Sequence, residues 1–130
     1  MLKKVIQLVM PLLVISGSAA STASPTCYER ANLCKASYSR AANRVTRLPE
    51  TLAWQRTHAY PPALGLPMDN QVRIDNACFW EVSVHANQSN QLELWNIFLV
   101  PIQGQALMIR DSEGKAITLK QWKTRAKSPT

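Results

Sequence analysis

Three cysteines, Cys27, Cys34 and Cys78, and two histidines, His58 and His85, hold most of the nucleophilic and metal-ligating capacity of this chain. A Cys-His nucleophile pair needs thiol and imidazole within hydrogen-bond reach. His85 lies an odd number of residues after Cys78 in what reads as one strand, so the two side chains point to opposite faces. No close-spaced ligand pair of the Cys-x2-Cys kind is present to open a zinc site. Glu81 and Glu93 fall on opposite faces in the expected register, which separates them as an acid and base couple. Glu81, Ser83 and His85 form the one polar cluster with catalytic character, and a strand histidine near a hairpin end is most often simply exposed. The residues therefore predict no metal, no cofactor and no catalytic group.

What remains for the cysteines is a disulfide. Cys27 and Cys34 stand seven residues apart in a predicted helix, a rise of about 10.5 Å, which exceeds the roughly 7 Å that a bridge allows between Cα atoms. The bridge must use Cys78. Cys34 lies deeper along the helix and is the favoured partner, with Cys27 as the alternative. Closing a loop of roughly 45 residues is worth about 4 kcal/mol in the chain-entropy model. If Cys34 is used, Cys27 is left as a thiol beside the mature N-terminus.

The elements that must position these groups centre on residues 77–110, which read as three antiparallel strands. If residues 87–90 close the first hairpin, Ala86 faces Gln91, and Cys78, Trp80, Val82 and Val84 share a face with Glu93, Trp95, Ile97 and Leu99. Gln103 and Gly104 can close the second hairpin, with Ile102 opposite Gln105, Val100 by Leu107 and Phe98 by Ile109. Ala106 and Met108 then join the first face. The other face mixes Phe79, Leu92, Leu94, Phe98, Val100, Leu107 and Ile109 with Glu81, Ser83, His85 and Asn96. An antiparallel sheet needs only one covered face, so the second apolar face requires a cover.

Before the strands, Thr26-Cys27-Tyr28-Glu29 fits a capping box. Cys27, Ala31, Cys34, Tyr38, Ala41, Val45 and Leu48 recur at helical spacing up to Pro49, which ends the helix. Pro49-Glu50 opens a short second helix through Trp54 to Arg56. Tyr60-Pro61-Pro62 and Leu66-Pro67 force turning backbone, and residues 71–75 add an edge strand. Trp54, Leu64 and Leu66 make this segment the internal candidate to cover the second face. After the strands come a turn at residues 111–114, a short strand over residues 115–119 and Trp122 as a packing anchor.

Residues 1–23 have the three parts of a secretory signal: Lys3 and Lys4, an apolar run, and a small-residue stretch. The run is too short for a stable membrane span. The expected domains are thus a leader, 1–23, and one small domain, 24–130, destined for the periplasm of a bacterium or for secretion. Beyond the leader, 13 Lys and Arg (15 less Lys3 and Lys4) face 8 Asp and Glu, a net charge of +5 that favours acidic partners. Lys115, Lys120, Lys123, Arg125 and Lys127 read as a solvated basic tail. An exported chain has little access to nucleic acid, so none is expected as a partner.

A helix followed by an antiparallel meander resembles the small α+β rolls of the cystatin-like and NTF2-like kind over residues 26–122, on element order. Such rolls serve as binding modules, inhibitors, enzymes and secretion-system parts, so the resemblance implies an architecture and leaves function open. The expected fold is α+β, an N-terminal helix on an antiparallel meander of three to five strands. The expected function is a small exported binding or interaction protein, of inhibitor or immunity type, that meets a protein partner or a second copy through the second sheet face, using Phe79, Glu81, His85, Leu94, Phe98, Leu107 and Ile109. The alternatives are a periplasmic hydrolase or other enzyme with a pocket between the sheet and residues 49–76, and a subunit of an envelope or secretion complex.

Overall fold

The computed structural model describes residues 25–65, 71–88, 90–104 and 106–126. The expected leader lies outside them, as do Leu66, Pro67, Gln105 and the end of the tail from Lys127. Thr26 caps α1 (Cys27–Leu33) as its sequence predicts: its hydroxyl accepts from the Glu29 N–H at 3.1 Å, and its own N–H donates to the Glu29 carboxylate at 3.3 Å. The helix does not run on to Leu48. Lys35 takes a φ of 52°, and the Ala36 N–H returns to the Ala31 carbonyl at 2.9 Å, closing the end. Ser37 then caps α2 (Tyr38–Thr46), its hydroxyl accepting from the Arg40 N–H at 3.2 Å. Pro49 opens α3 (Pro49–Gln55) at the position where its missing N–H costs nothing.

Six strands follow: β1 (Ala63–Leu64), β2 (Gln71–Ile74), β3 (Ala77–Gln88), β4 (Gln91–Pro101), β5 (Met108–Arg110) and β6 (Ala116–Thr118), and α4 (Leu119–Ala126) comes last. All pairings are antiparallel in the order β1-β3-β4-β5-β6, with β2 also on β3. The architecture is α+β, a meander with helices packed on one face.

The register of β3 on β4 differs from the expected one. Val82 faces Phe98 and Trp80 faces Val100, because the strands pair out to Gln88 and Gln91 and a bulge adds a residue on the way. The slip is an odd number of residues, which turns β4 over relative to β3. Phe98 and Val100 therefore join Val82 and Val84. The β4 to β5 register is as predicted, with Phe98 facing Ile109, and Ile109 in turn faces Ile117. Val82, Phe98, Ile109 and Ile117 thus form a row across four strands, and the first three are 0% exposed. Ala41 and Val45 of α2 pack on this row, joined by Leu48, Trp54 and Leu64 at its margin. The face expected to await a partner is in large part the core.

The disulfide joins Cys27 to Cys78, 51 residues apart, rather than the favoured Cys34. The helix break is the reason. Cys27 and Ala31 lie one turn apart on the face of α1 that meets Cys78 and Ile102, whereas the turn at Lys35 leaves Cys34 exposed as a free thiol. The bridge still stabilises by about 4 kcal/mol on loop length. The tail is corrected as well. Thr118 and Gln121 exchange hydrogen bonds of 2.9 and 3.0 Å, a capping box that starts α4, and Lys123 and Arg125 pair with Glu50 and Asp111.

Phe98→Asp should unfold the chain, since an unpaired charge at a fully buried site costs several kcal/mol against a total of about 5–15 kcal/mol. Loss of the cooperative thermal transition by circular dichroism is the expected reading. Non-reducing peptide mapping should recover Cys27 joined to Cys78, with Cys34 open to alkylation.

Candidate interaction surface

β3 and β4 are the longest strands, and their neighbours do not follow them to the end. β5 pairs only with Phe98 and Leu99, and β1 reaches β3 no further than His85. Among the described residues, no strand pairs with the outer edge of β4 over residues 91–97, a length of about 20 Å. The hairpin therefore continues as a two-stranded arm with open backbone edges. Glu93 is the one charged side chain over residues 86–97, and Gln88 donates to its carboxylate at 3.0 Å. On the arm's outer face Leu92 pairs with Asn87 and Leu94 with His85; the two leucines are 58% and 51% exposed.

The bulge sits where the arm leaves the sheet. Val84 faces Asn96 and His85 faces Leu94, so Trp95 is the extra residue. In a regular strand Trp95 and Phe98 would point to opposite faces, being an odd number apart. With the bulge, their rings come to 5.7 Å, and the Trp95 indole stacks on Trp54 of α3 at 4.3 Å with 7° between the planes. Trp122 of α4 meets Trp95 edge-on at 6.1 Å. Beside the free edge of β4, Trp95 and Trp122 line a groove of about 510 Å³ with Leu94, Ile97, Ile117, Arg110 and Arg125.

One wall of the groove depends on α4, and two carboxylates hold that helix. Burial pushes the Glu50 carboxyl up, but the hydrogen bond and charge of Lys123 and the N–H at the start of α3 outweigh it and leave it below the ordinary value. Asp111 is also lowered, first by the Lys115 N–H and, against an opposing desolvation, by Arg125 and the Glu113 N–H.

Of the seven expected contact residues, Phe79, Phe98, Leu107 and Ile109 are buried within the chain and offer a partner no area. Glu81 is held by Arg110 at 3.2 Å. His85 is half-buried beside Leu94, and Leu94 alone of the seven is broadly exposed. The polar cluster does not converge. Gly65 lies against Ser83, donating its N–H to the Ser83 carbonyl at 2.9 Å, so closely that a Cβ on Gly65 would stand 2.2 Å from the serine hydroxyl oxygen. Glu81 meanwhile is turned to Arg110. Among the described residues no three His, Cys, Asp or Glu side chains gather at metal-binding distance, and no helix is long and apolar enough to cross a membrane. The sequence puts Trp95 on the first sheet face and makes Trp122 a packing anchor, and no local pattern announces the bulge that brings them together.

Because Glu50 and Asp111 are depressed in the folded state, their contribution is present above the ordinary carboxylate range and is lost as pH falls through their lower folded values. The indole N–H resonance of Trp122 should hold its position down to about pH 5 and move below about pH 4, as α4 loses both ion pairs. A resonance unmoved at still lower pH would mean that packing alone holds α4.

Comparisons with models of protein families, with curated proteins and with solved structures found no match, so the functional reading rests on this geometry.

Proposed function

We propose that this chain is a small exported binding protein that takes an extended segment of a protein partner against the free edge of β4. The observation that carries the reading is the open backbone of residues 91–97 beside a groove walled by Trp95 and Trp122. Exposed strand edges are normally blunted by charge, proline or a covering loop. This one has a single charge, no proline over residues 91–97, and two leucines in solvent. Strand addition suits such an edge: main-chain hydrogen bonds supply affinity, while alternate side chains of the incoming segment enter pockets. Here Leu94, Ile97 and Trp122 offer the apolar lining, and Arg110 and Arg125 a charged end.

Export is supported by the leader pattern and by the Cys27–Cys78 bridge, since disulfides persist in oxidising compartments. A bacterial periplasm fits both. An inhibitor or immunity-type role follows naturally, because a segment captured along β4 is masked from other partners. The roll architecture expected from element order belongs to this reading, with the strand edge as its binding device.

The paired substitution Leu92→Lys and Leu94→Lys should leave the melting temperature nearly unchanged, as surface changes usually stay within about 0.5 kcal/mol. The same variant should lose a stoichiometric partner that the wild type retains in pull-down from an envelope fraction. Retention of that partner would place the contact elsewhere, and turnover of a substrate with no partner captured would favour the enzyme alternative.

A further inference from the structure

From Arg30 to Pro49 the sequence holds Arg30, Lys35, Arg40, Arg44 and Arg47 and no Asp or Glu. Those five cations equal the whole net charge that the chain has beyond its expected leader. Elsewhere the charges are matched, with Arg110, Lys123 and Arg125 each paired to a carboxylate. Arg30 turns to the Asn76 carbonyl at 3.1 Å, so the excess positive charge gathers on the Lys35 turn and α2. Ala41, Ala42 and Val45 turn inward to the sheet, which leaves Lys35, Arg40, Arg44 and Arg47 exposed along the outer side of α2 and the turn before it. Arg40, Arg44 and Arg47 rim an open depression of about 620 Å³ that Leu48 and Pro49 complete.

Leu33 is a second and separate feature of the same region. It is 78% exposed, the most exposed of the large hydrophobic side chains among the described residues. The turn that presents it is held in place: Lys35 has its φ of 52°, and the Arg40 guanidinium donates to the Lys35 carbonyl at 3.1 Å, binding the turn to the first turn of α2. An exposed apolar side chain two residues before a run of cations, none of which pairs with a carboxylate among the described residues, is the arrangement by which a folded protein rests on a charged bilayer, the cations over the headgroups and the apolar tip below them.

We infer that the outer side of α2, with the turn that joins it to the end of α1, docks on an anionic phospholipid surface. Arg40, Arg44, Arg47 and Lys35 meet the headgroup phosphates, for which the guanidinium fork is well shaped, and Leu33 enters the boundary of the acyl region. A bilayer is favoured over an acidic protein because it accepts both the charge row and the isolated leucine without a shaped counterpart. The apolar side of α2 is already occupied by the sheet, so the helix rests on the membrane and does not insert. Binding is accordingly reversible and sensitive to salt, which screens exposed charges within about 8 Å at physiological strength. This face is separate from the β4 edge, and neither proposal depends on the other.

Co-sedimentation with unilamellar vesicles tests it, using phosphatidylcholine alone and phosphatidylcholine with about a third phosphatidylglycerol, in about 0.1 M and about 0.5 M salt. The wild-type chain should bind the anionic vesicles at low salt, release at high salt and ignore the neutral ones. Each cation near an anionic surface is worth about five-fold in partitioning. The triple substitution Arg40→Gln, Arg44→Gln and Arg47→Gln should therefore weaken binding on the order of 100-fold, with an unchanged melting curve. Leu33→Ser, which keeps every charge, should weaken binding several-fold and preserve its salt dependence. Equal binding to both vesicles, binding to neither, or undiminished binding of the triple variant would overturn the inference. Capture by polyglutamate without vesicle binding would overturn it in favour of an acidic protein surface.

Discussion

The pairing of Val82 with Phe98 governs this structure. It sets which side of β4 faces the helices, and through Ile109 and Ile117 it extends one apolar row across four strands. A one-residue slip would turn Phe98 away from the helices and put Leu99, itself buried on the opposite face, in its place. The helices recognise the row by size. Val45 and Ala41 are small enough for α2 to lie close on the strands, and Trp80 closes the side by donating its indole N–H to the Ala36 carbonyl at 2.7 Å. The Cys27–Cys78 bridge then ties α1 to the first residues of β3. In so small a domain this cross-link matters, because the core buries a modest share of the chain.

The same register explains why the arm exists. Pairing at the base and pairing at the tip differ by one residue, and the difference is absorbed at Trp95. A bulge bends its strand and raises the local twist, so β4 turns away from β5 beyond Phe98 and its edge is left open. The unpaired residue is not idle, since its indole fills the space between α3 and α4. The bulge and the free edge are thus one feature seen from two sides.

Much of this fold was legible in local patterns. The capping box at Thr26, the proline start at Pro49 and the edge strand at Gln71–Ile74 each depend on neighbours within a few residues, and the alignment of Phe98 with Ile109 on one short hairpin connection. The missed features have two sources. Lys35 adopts a left-handed conformation without being glycine or asparagine, and Ser37 caps α2 without an acidic residue three positions on, so the apolar spacing from Cys27 to Leu48 reads as one helix and misplaces Cys34. The polar run over residues 87–90 admits several loop lengths, so it cannot choose a register, and the choice is made by packing against α2. One miss had a usable signal: Thr118 and Gln121 are spaced as a capping box, and the basic character of the following residues concealed it. The candidate surface was legible only at Leu94, because separating buried from exposed leucines required the register.

The arm has little core of its own, and its conformation depends on the aromatic contacts at its root. Trp95 is held between Trp54 and Trp122, on two helices that reach the sheet from different points in the chain. Aromatic pairs contribute about 0.5–1.5 kcal/mol each beyond the area they bury, enough to fix the direction of a short hairpin but not to stiffen its tip. A binding strand gains from this division. In the proposed reading, the residues beside the groove are set before a partner arrives, which lowers the ordering cost of association, while the outer leucines, exposed in this structure, meet the incoming segment. The indole cluster belongs at once to the packing of α3 and α4 and to the aim of the edge that they support.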